Sequence, residues 1–168
     1  HMGTLEEYAS KCTALIELGS EFGTGSTTAF ARGVARNPGC KLWITVDLKN
    51  QIREDCTPTN AEWSFFAGDS RDPKLPQDCL QALRKVMPIG YFDLIFIDTD
   101  HNYEQLKAEI ENWHLVMSLR STWLFHDTWM NGSYNHMTDA AKEFAADNNA
   151  LWKYVDLSKE NNGLGALI

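Results

Sequence analysis

The chain has 168 residues, 43% of them hydrophobic and 23% charged, which suits one globular domain with a substantial core. A formal net charge of −8 argues against a broad electrostatic grip on nucleic acid or on an anionic membrane surface. Its uncharged apolar runs are too short to span a bilayer, and no signal peptide is visible.

The opening His1-Met2-Gly3 reads as an expression leftover and is set aside, leaving residues 4–168 as a single domain. Cys12, Cys40, Cys56 and Cys79 are scattered and form no CxxC pair, which speaks against a zinc site or a disulfide framework. Reduced thiols in a cytoplasmic protein are the expectation.

Apolar runs predict strands at Ala14 to Leu18, Lys41 to Asp47, Trp63 to Ala67, Phe92 to Asp98, Thr122 to His126, Leu151 to Leu157 and Leu164 to Ile168. Several are continuously apolar, as strands covered on both faces should be. Helices are predicted between them. Ser26 to Arg36 is alanine-rich and stops at Pro38-Gly39. Gln77 to Met87 puts Leu80, Leu83 and Val86 on one face before Pro88. Tyr103 to Met117 spaces Leu106, Ile110, Trp113 and Met117 at the helical period, and Thr138 to Ala146 is shorter. Only the polar loop Ser158 to Gly163 separates the last two strands, which suits a hairpin. The expected fold is α/β: a Rossmann-like, mostly parallel seven-stranded sheet with helices on both faces and a C-terminal antiparallel hairpin.

Ligands of open α/β sheets bind beyond the carboxyl ends of the strands. Here strand one ends in Glu17-Leu18-Gly19-Ser20 and runs on through Gly23 and Gly25. Strand two ends in Asp47, strand three in Gly68-Asp69-Ser70, strand four in Asp98-Thr99-Asp100-His101, and strand five in His126-Asp127. Nearly every strand brings an acid to one edge. The glycines permit a tight turn and close ligand approach. They match neither G-x-G-x-x-G nor the phosphate loop, and no lysine follows them. Ser26 or Thr27 is placed to cap the next helix. Asp47 is a helix cap, a solvated strand end or a ribose ligand, and the glycine loop before it favours ribose.

Together these segments resemble a class I S-adenosylmethionine-dependent methyltransferase. Within that class the chain is similar to the branch of macrocin-type sugar O-methyltransferases and cephalosporin hydroxylase-like proteins. That branch carries F-I-D-x-D-H-x-Y-E and a later F-H-D, read here as Phe96 to Glu104 and Phe125-His126-Asp127. The resemblance covers nearly the whole chain after residue 10 and includes the strand order with its terminal hairpin.

The resemblance implies S-adenosylmethionine as cofactor. Gly19, Ser20, Gly23 and Gly25 would face its methionine part, with Glu17 shaping the loop. Asp47 would bind the ribose, Asp69 the adenine amino group, and Ser70 would lie beside it. Carboxylates accept strongly from both kinds of donor. Asp98 would sit on the cofactor side and also ligate a divalent metal, magnesium or manganese, with His126 and Asp127. His126 stands where the sugar O-methyltransferases it resembles place the first acid of a pair, and a mixed His/Asp set suits manganese, iron or zinc better than magnesium. Asp100 is implied as general base, with His101 as substitute. Asp100 reads equally well as the N-cap of the following helix.

His114 and His136 are expected in structural or solvated roles and Trp123 in the core. Trp129 and Tyr134 are candidates to line an acceptor pocket. The expected partner is a small molecule bearing an acceptor hydroxyl, a sugar above all, and neither nucleic acid nor membrane. Cover for the site is left to the Met130 to Met137 loop, to a second copy in a homodimer, or to further domains of a longer protein. Two other functions stay open: a non-catalytic cofactor-binding domain, which His126 favours, and an NAD-dependent oxidoreductase, which the glycine spacing and terminal hairpin disfavour.

Overall fold

The computed structural model describes residues 1–130 and 135–168. The predicted Tyr134 therefore lies outside the described residues, as does the middle of the Met130 to Met137 loop. Seven strands form one sheet: β1 (Ala14–Leu18), β2 (Leu42–Asp47), β3 (Glu62–Ala67), β4 (Phe92–Ile97), β5 (Met117–His126), β6 (Tyr154–Ser158) and β7 (Leu164–Leu167). Their order is β3-β2-β1-β4-β5-β7-β6. The first five run parallel, while β7 returns antiparallel between β5 and β6. The strand order reverses between β1 and β4, which opens a crevice at their carboxyl ends.

Helices α1 (Met2–Ala9) and α2 (Ser26–Ala35) cover one face of this sheet. Helices α3 (Lys74–Val86), α4 (Tyr103–Trp113) and α5 (Thr138–Asp147) cover the other. Strand alternation divides the core accordingly. Ile16, Leu18, Ile95, Ile97, Trp123 and Phe125 face α3 to α5. Leu15, Trp43, Leu94, Phe96 and Leu124 face α1 and α2. Among the described residues, no helix is long and apolar enough to cross a membrane.

Three boundaries differ from expectation for identifiable reasons. Helix α1 begins at Met2, within the segment set aside as a leftover. It is seated where Gly33 lets α2 approach, since a Cβ there would lie 2.4 Å from the Glu6 carbonyl oxygen. Helix α4 ends at Trp113, a 3₁₀ turn follows at His114–Val116, and β5 starts at Met117. Val116 and Met117 extend the helical apolar pattern because they are buried, not because they are helical. Helix α3 starts at Lys74, with Pro76 in its first turn, where a missing N–H costs nothing.

Candidate active site

Gly19 closes β1 at φ +82°, and a Cβ there would lie 2.0 Å from the Asp98 carbonyl oxygen. Only glycine allows the loops after β1 and β4 to approach this closely. Asp47, at the end of β2, ties the loop down. Its Oδ2 accepts from Ser20 N at 2.8 Å, Ser20 Oγ at 3.1 Å and Glu21 N at 3.1 Å, and its Oδ1 accepts from Leu48 N at 2.6 Å.

Glu17 is fully buried one residue before the end of β1, on the face toward α2. Ser26 and Thr27 do not cap α2: Gly25 is its N-cap, without a side-chain cap bond. Both hydroxyls instead donate to Glu17 Oε1 at 2.8 Å, and Thr45 donates to Oε2 at 3.1 Å. Burial raises the Glu17 carboxyl to about 7, although these hydroxyls pull the other way.

Two adjoining cavities share Gly19, Ser20, Glu21, Asp98 and Thr99. The first, about 360 Å³, is also lined by Asp47, Leu48, Gly68, Asp69, Ser70, Arg71, Asp100 and Gln105. The second, about 290 Å³, adds Thr24, Gly25, Ser26, His101, His126, Asp127 and Asn162. Gly23 lines neither; it packs against Ile52 and Cys56. In the first cavity the Asp69 carboxylate is held by Arg71, whose Nη2 lies 2.6 Å from Oδ2. That partner holds Asp69 below the usual carboxylate range. Ser70 is buried and turns its hydroxyl into the protein, onto Glu109 Oε1 at 2.5 Å.

The second cavity gathers two histidines and two aspartates. His101 Nε2 lies 2.6 Å from Asp127 Oδ2 and 3.5 Å from Asp98 Oδ1. His126 Nδ1 lies 3.3 Å from both carboxylates. Burial alone would raise Asp98, but the hydrogen bonds and charges of His101 and His126 outweigh it and bring it down to about 2. The Asp98 hydrogen bond raises His101 against the effect of burial. Burial disfavours a charged His126 as well, yet the two carboxylates raise it.

Asp127 Oδ1 is buried without a hydrogen-bond partner, and the buried His126 Nδ1 has only the two carboxylates at 3.3 Å, in poor hydrogen-bond geometry. Buried polar atoms are normally satisfied, so this pair marks a place for a ligand. Asp98, His101 and Asp127 each offer a donor atom within 4.8 Å of the others. Imidazole nitrogens and carboxylate oxygens gathered this closely form a mixed donor set of the kind that can hold a divalent metal.

Asp100 stands apart from this cluster. It is exposed and lines the first cavity only. Nor is it the helix cap: Asn102 caps α4, its Oδ1 accepting from Gln105 N at 2.9 Å. Asn102 follows Asp100 and His101 at the position whose side chain reaches the third amide of the helix. His114 Nδ1 lies 3.1 Å from the Ile110 carbonyl oxygen, and the exposed His136 pairs with Asp139. Trp123 is fully buried, and Trp129 packs beneath Lys159.

Residues 16–128 match the family model described as a methyltransferase domain. The chain belongs to that family. No curated protein matches the sequence. Among solved structures, the methyltransferase domain superposes on apo CalS11, a TDP-rhamnose 3'-O-methyltransferase of calicheamicin biosynthesis, with a TM-score of 0.62 at 17% identity, over 99% of this chain and 76% of CalS11. It superposes on MycE, from the mycinamycin biosynthetic pathway, in complex with Mg, SAH and mycinamycin VI, with a TM-score of 0.61 at 12% identity. That match covers 98% of this chain and 46% of MycE, so the methyltransferase domain spans under half of that protein. SAH-bound PaMTH1 from Podospora anserina superposes at a TM-score of 0.58 and 14% identity, over 98% of this chain and 75% of that one. At these identities the likenesses establish the fold, a Rossmann-like methyltransferase sheet with a C-terminal antiparallel hairpin.

Glu109 was not singled out from the sequence. It is fully buried on the inner face of α4. The signal was available: Glu109 falls three residues after Leu106 and four before Trp113, on the apolar stripe of that helix.

Proposed function

We propose that this methyltransferase moves a methyl group from S-adenosylmethionine to a hydroxyl of a sugar or other small molecule, at a site that holds a divalent metal. The observation that carries the reading is the shared wall of the two cavities. Gly19, Ser20, Asp98 and Thr99 border both, so a donor in one faces an acceptor in the other. The CalS11 activity and the Mg and SAH bound to MycE support the same assignment by likeness.

Once bound, S-adenosylmethionine would supply the electrophilic methyl group, and a divalent metal would supply a Lewis acid for the acceptor oxygen. Asp98, His126 and Asp127 are the proposed metal ligands. This set uses the unpartnered Asp127 Oδ1 and the poorly hydrogen-bonded His126 Nδ1. His101 takes the acceptor's proton at its other ring nitrogen, Nδ1, while its Nε2–H donates to Asp127 Oδ2 at 2.6 Å, with Asp98 Oδ1 at 3.5 Å, and these carboxylates stabilise the imidazolium. This reading prefers His101 to Asp100, which lines the other cavity. Asp47 binds the ribose hydroxyls, while Gly19 and Ser20 carry the loop along which the methionine part lies. Gly25 and Ser26 line the acceptor side of that loop.

Calorimetric titration with S-adenosylmethionine and with NAD, each with and without manganese, tests this reading. Micromolar binding of the methyl donor and none of NAD is expected. NAD binding in preference to the methyl donor overturns it.

A further inference from the structure

The wall of the first cavity is organised from behind by one buried carboxylate. Glu109 Oε1 accepts from Ser70 Oγ at 2.5 Å, Thr99 Oγ1 at 2.8 Å and Gln105 Nε2 at 2.7 Å. Gln105 Nε2 also donates to Ser70 Oγ at 3.1 Å. Ser70, Thr99 and Gln105 all line the cavity, and Glu109 does not. The backbone of the same wall is pinned from α4 as well, since Trp113 Nε1 donates to the Ser70 carbonyl at 2.9 Å.

A hydroxyl carries one donor hydrogen and a primary amide two. The Ser70 and Thr99 hydrogens both go to Glu109. One Gln105 hydrogen goes to Glu109 and the other to Ser70. All four are committed inward, so these three side chains retain only lone pairs for a ligand. Burial pushes the Glu109 carboxyl up, while the hydrogen bonds from Ser70, Gln105 and Thr99 favour its charged form, and in that form it only accepts, because it has no hydrogen to return.

We infer that Glu109 is a specificity-determining positioning residue: it turns Ser70, Thr99 and Gln105 into an acceptor-only wall that selects a purine bearing an amino group over one bearing a carbonyl. This rests on the reading that the first cavity holds the adenosine part of the cofactor. It adds a mechanism that does not depend on Asp69, whose carboxylate is engaged by Arg71. A 6-oxo purine carries a carbonyl where adenine carries its amino group; its N1–H is a donor, but at the C6 position lone pairs meet the lone pairs of the wall, and a desolvated clash of that kind costs affinity.

The test is calorimetric affinity for S-adenosylhomocysteine and for S-inosylhomocysteine, its deaminated analogue, in the unmodified chain and in Glu109→Leu and Ser70→Ala. The unmodified chain is expected to prefer the adenine ligand by about tenfold or more. In Glu109→Leu the inward acceptor is gone and the hydroxyls turn outward, and in Ser70→Ala one lone pair is lost. The preference should shrink to about threefold or less in both. A role limited to structural support would weaken both ligands together and leave the ratio unchanged, which overturns the inference. No preference in the unmodified chain also overturns it. Failure of that chain to bind either ligand defeats the cofactor reading itself, an outcome distinct from an unchanged ratio.

Discussion

His101 and Asp127 meet across the crevice, Nε2 to Oδ2 at 2.6 Å, although they follow different strands of the sheet. Asp127 reaches inward from a left-handed backbone at φ +54°, a conformation uncommon outside glycine and asparagine. Strain of this kind persists only where surrounding structure enforces it. The pair combines a proton acceptor with a carboxylate that orients it and stabilises its charged form.

For His101→Ala, transfer to a competent acceptor should fall by about a hundredfold or more, the usual contribution of a positioned proton acceptor. Calorimetric affinity for S-adenosylhomocysteine should change by less than about threefold, because His101 lines only the second cavity. Loss of both together would mean that His101 shapes the donor site instead.

Metal preference follows from the same cluster. Two imidazoles beside two carboxylates form a mixed nitrogen and oxygen donor set, which favours manganese, iron(II) or zinc over magnesium. In thermal unfolding, millimolar manganese should raise Tm by several degrees and magnesium by less. His126→Ala should abolish the manganese shift, and His101→Ala should retain it. If the outcomes are exchanged, His101 is the ligand and His126 the proton acceptor. Equal shifts with both metals would count against the mixed donor set.

Much of this site is legible in the chain because strands alternate. Leu15 and Glu17, Trp43 and Thr45, Phe96 and Asp98, and Leu124 and His126 are each two residues apart, so each pair points to one face. That spacing, with apolar runs fixing the strand ends, is enough to gather the acids at one sheet edge. What cannot be read this way is which acid meets which base. Asp100 and His101 are adjacent, yet one lines the first cavity and the other the second. The turn between Asp98 and the Asn102 cap decides it. The seat of α1 is equally hidden, since it depends on Gly33 of another helix.

The close approach at Gly19 gives a stability prediction. In Gly19→Ala the new methyl would sit 2.0 Å from the Asp98 carbonyl oxygen, on a residue held at φ +82°. Both the clash and the left-handed backbone oppose it, and the cost should be about 3 kcal/mol or more. Urea unfolding measures it directly. The same substitution at Gly3, where a Cβ meets nothing within 4 Å, should be near neutral. Comparable losses at the two positions would refute the loop geometry.

Glu17 gives a prediction in pH. In the folded chain burial raises its carboxyl to about 7 from an ordinary 4.5, so the folded state holds the proton more tightly than the unfolded state. Below 4.5 both states are protonated and burial carries no ionic cost. As pH rises from 4.5 to 7 the unfolded chain ionises first and the folded chain loses stability relative to it, by about 3 kcal/mol across that interval. Above 7 both are ionised and the cost stays constant. Glu17→Gln keeps an oxygen to accept from Ser26 and Thr27 and removes the titration. The stability of the unmodified chain minus that of Glu17→Gln should therefore fall between pH 4.5 and 7 and be flat on either side. Taking the difference cancels the opposite contribution of Asp98 and those of the two histidines. A flat difference across the whole range would show that the three hydroxyls hold Glu17 ionised despite its burial.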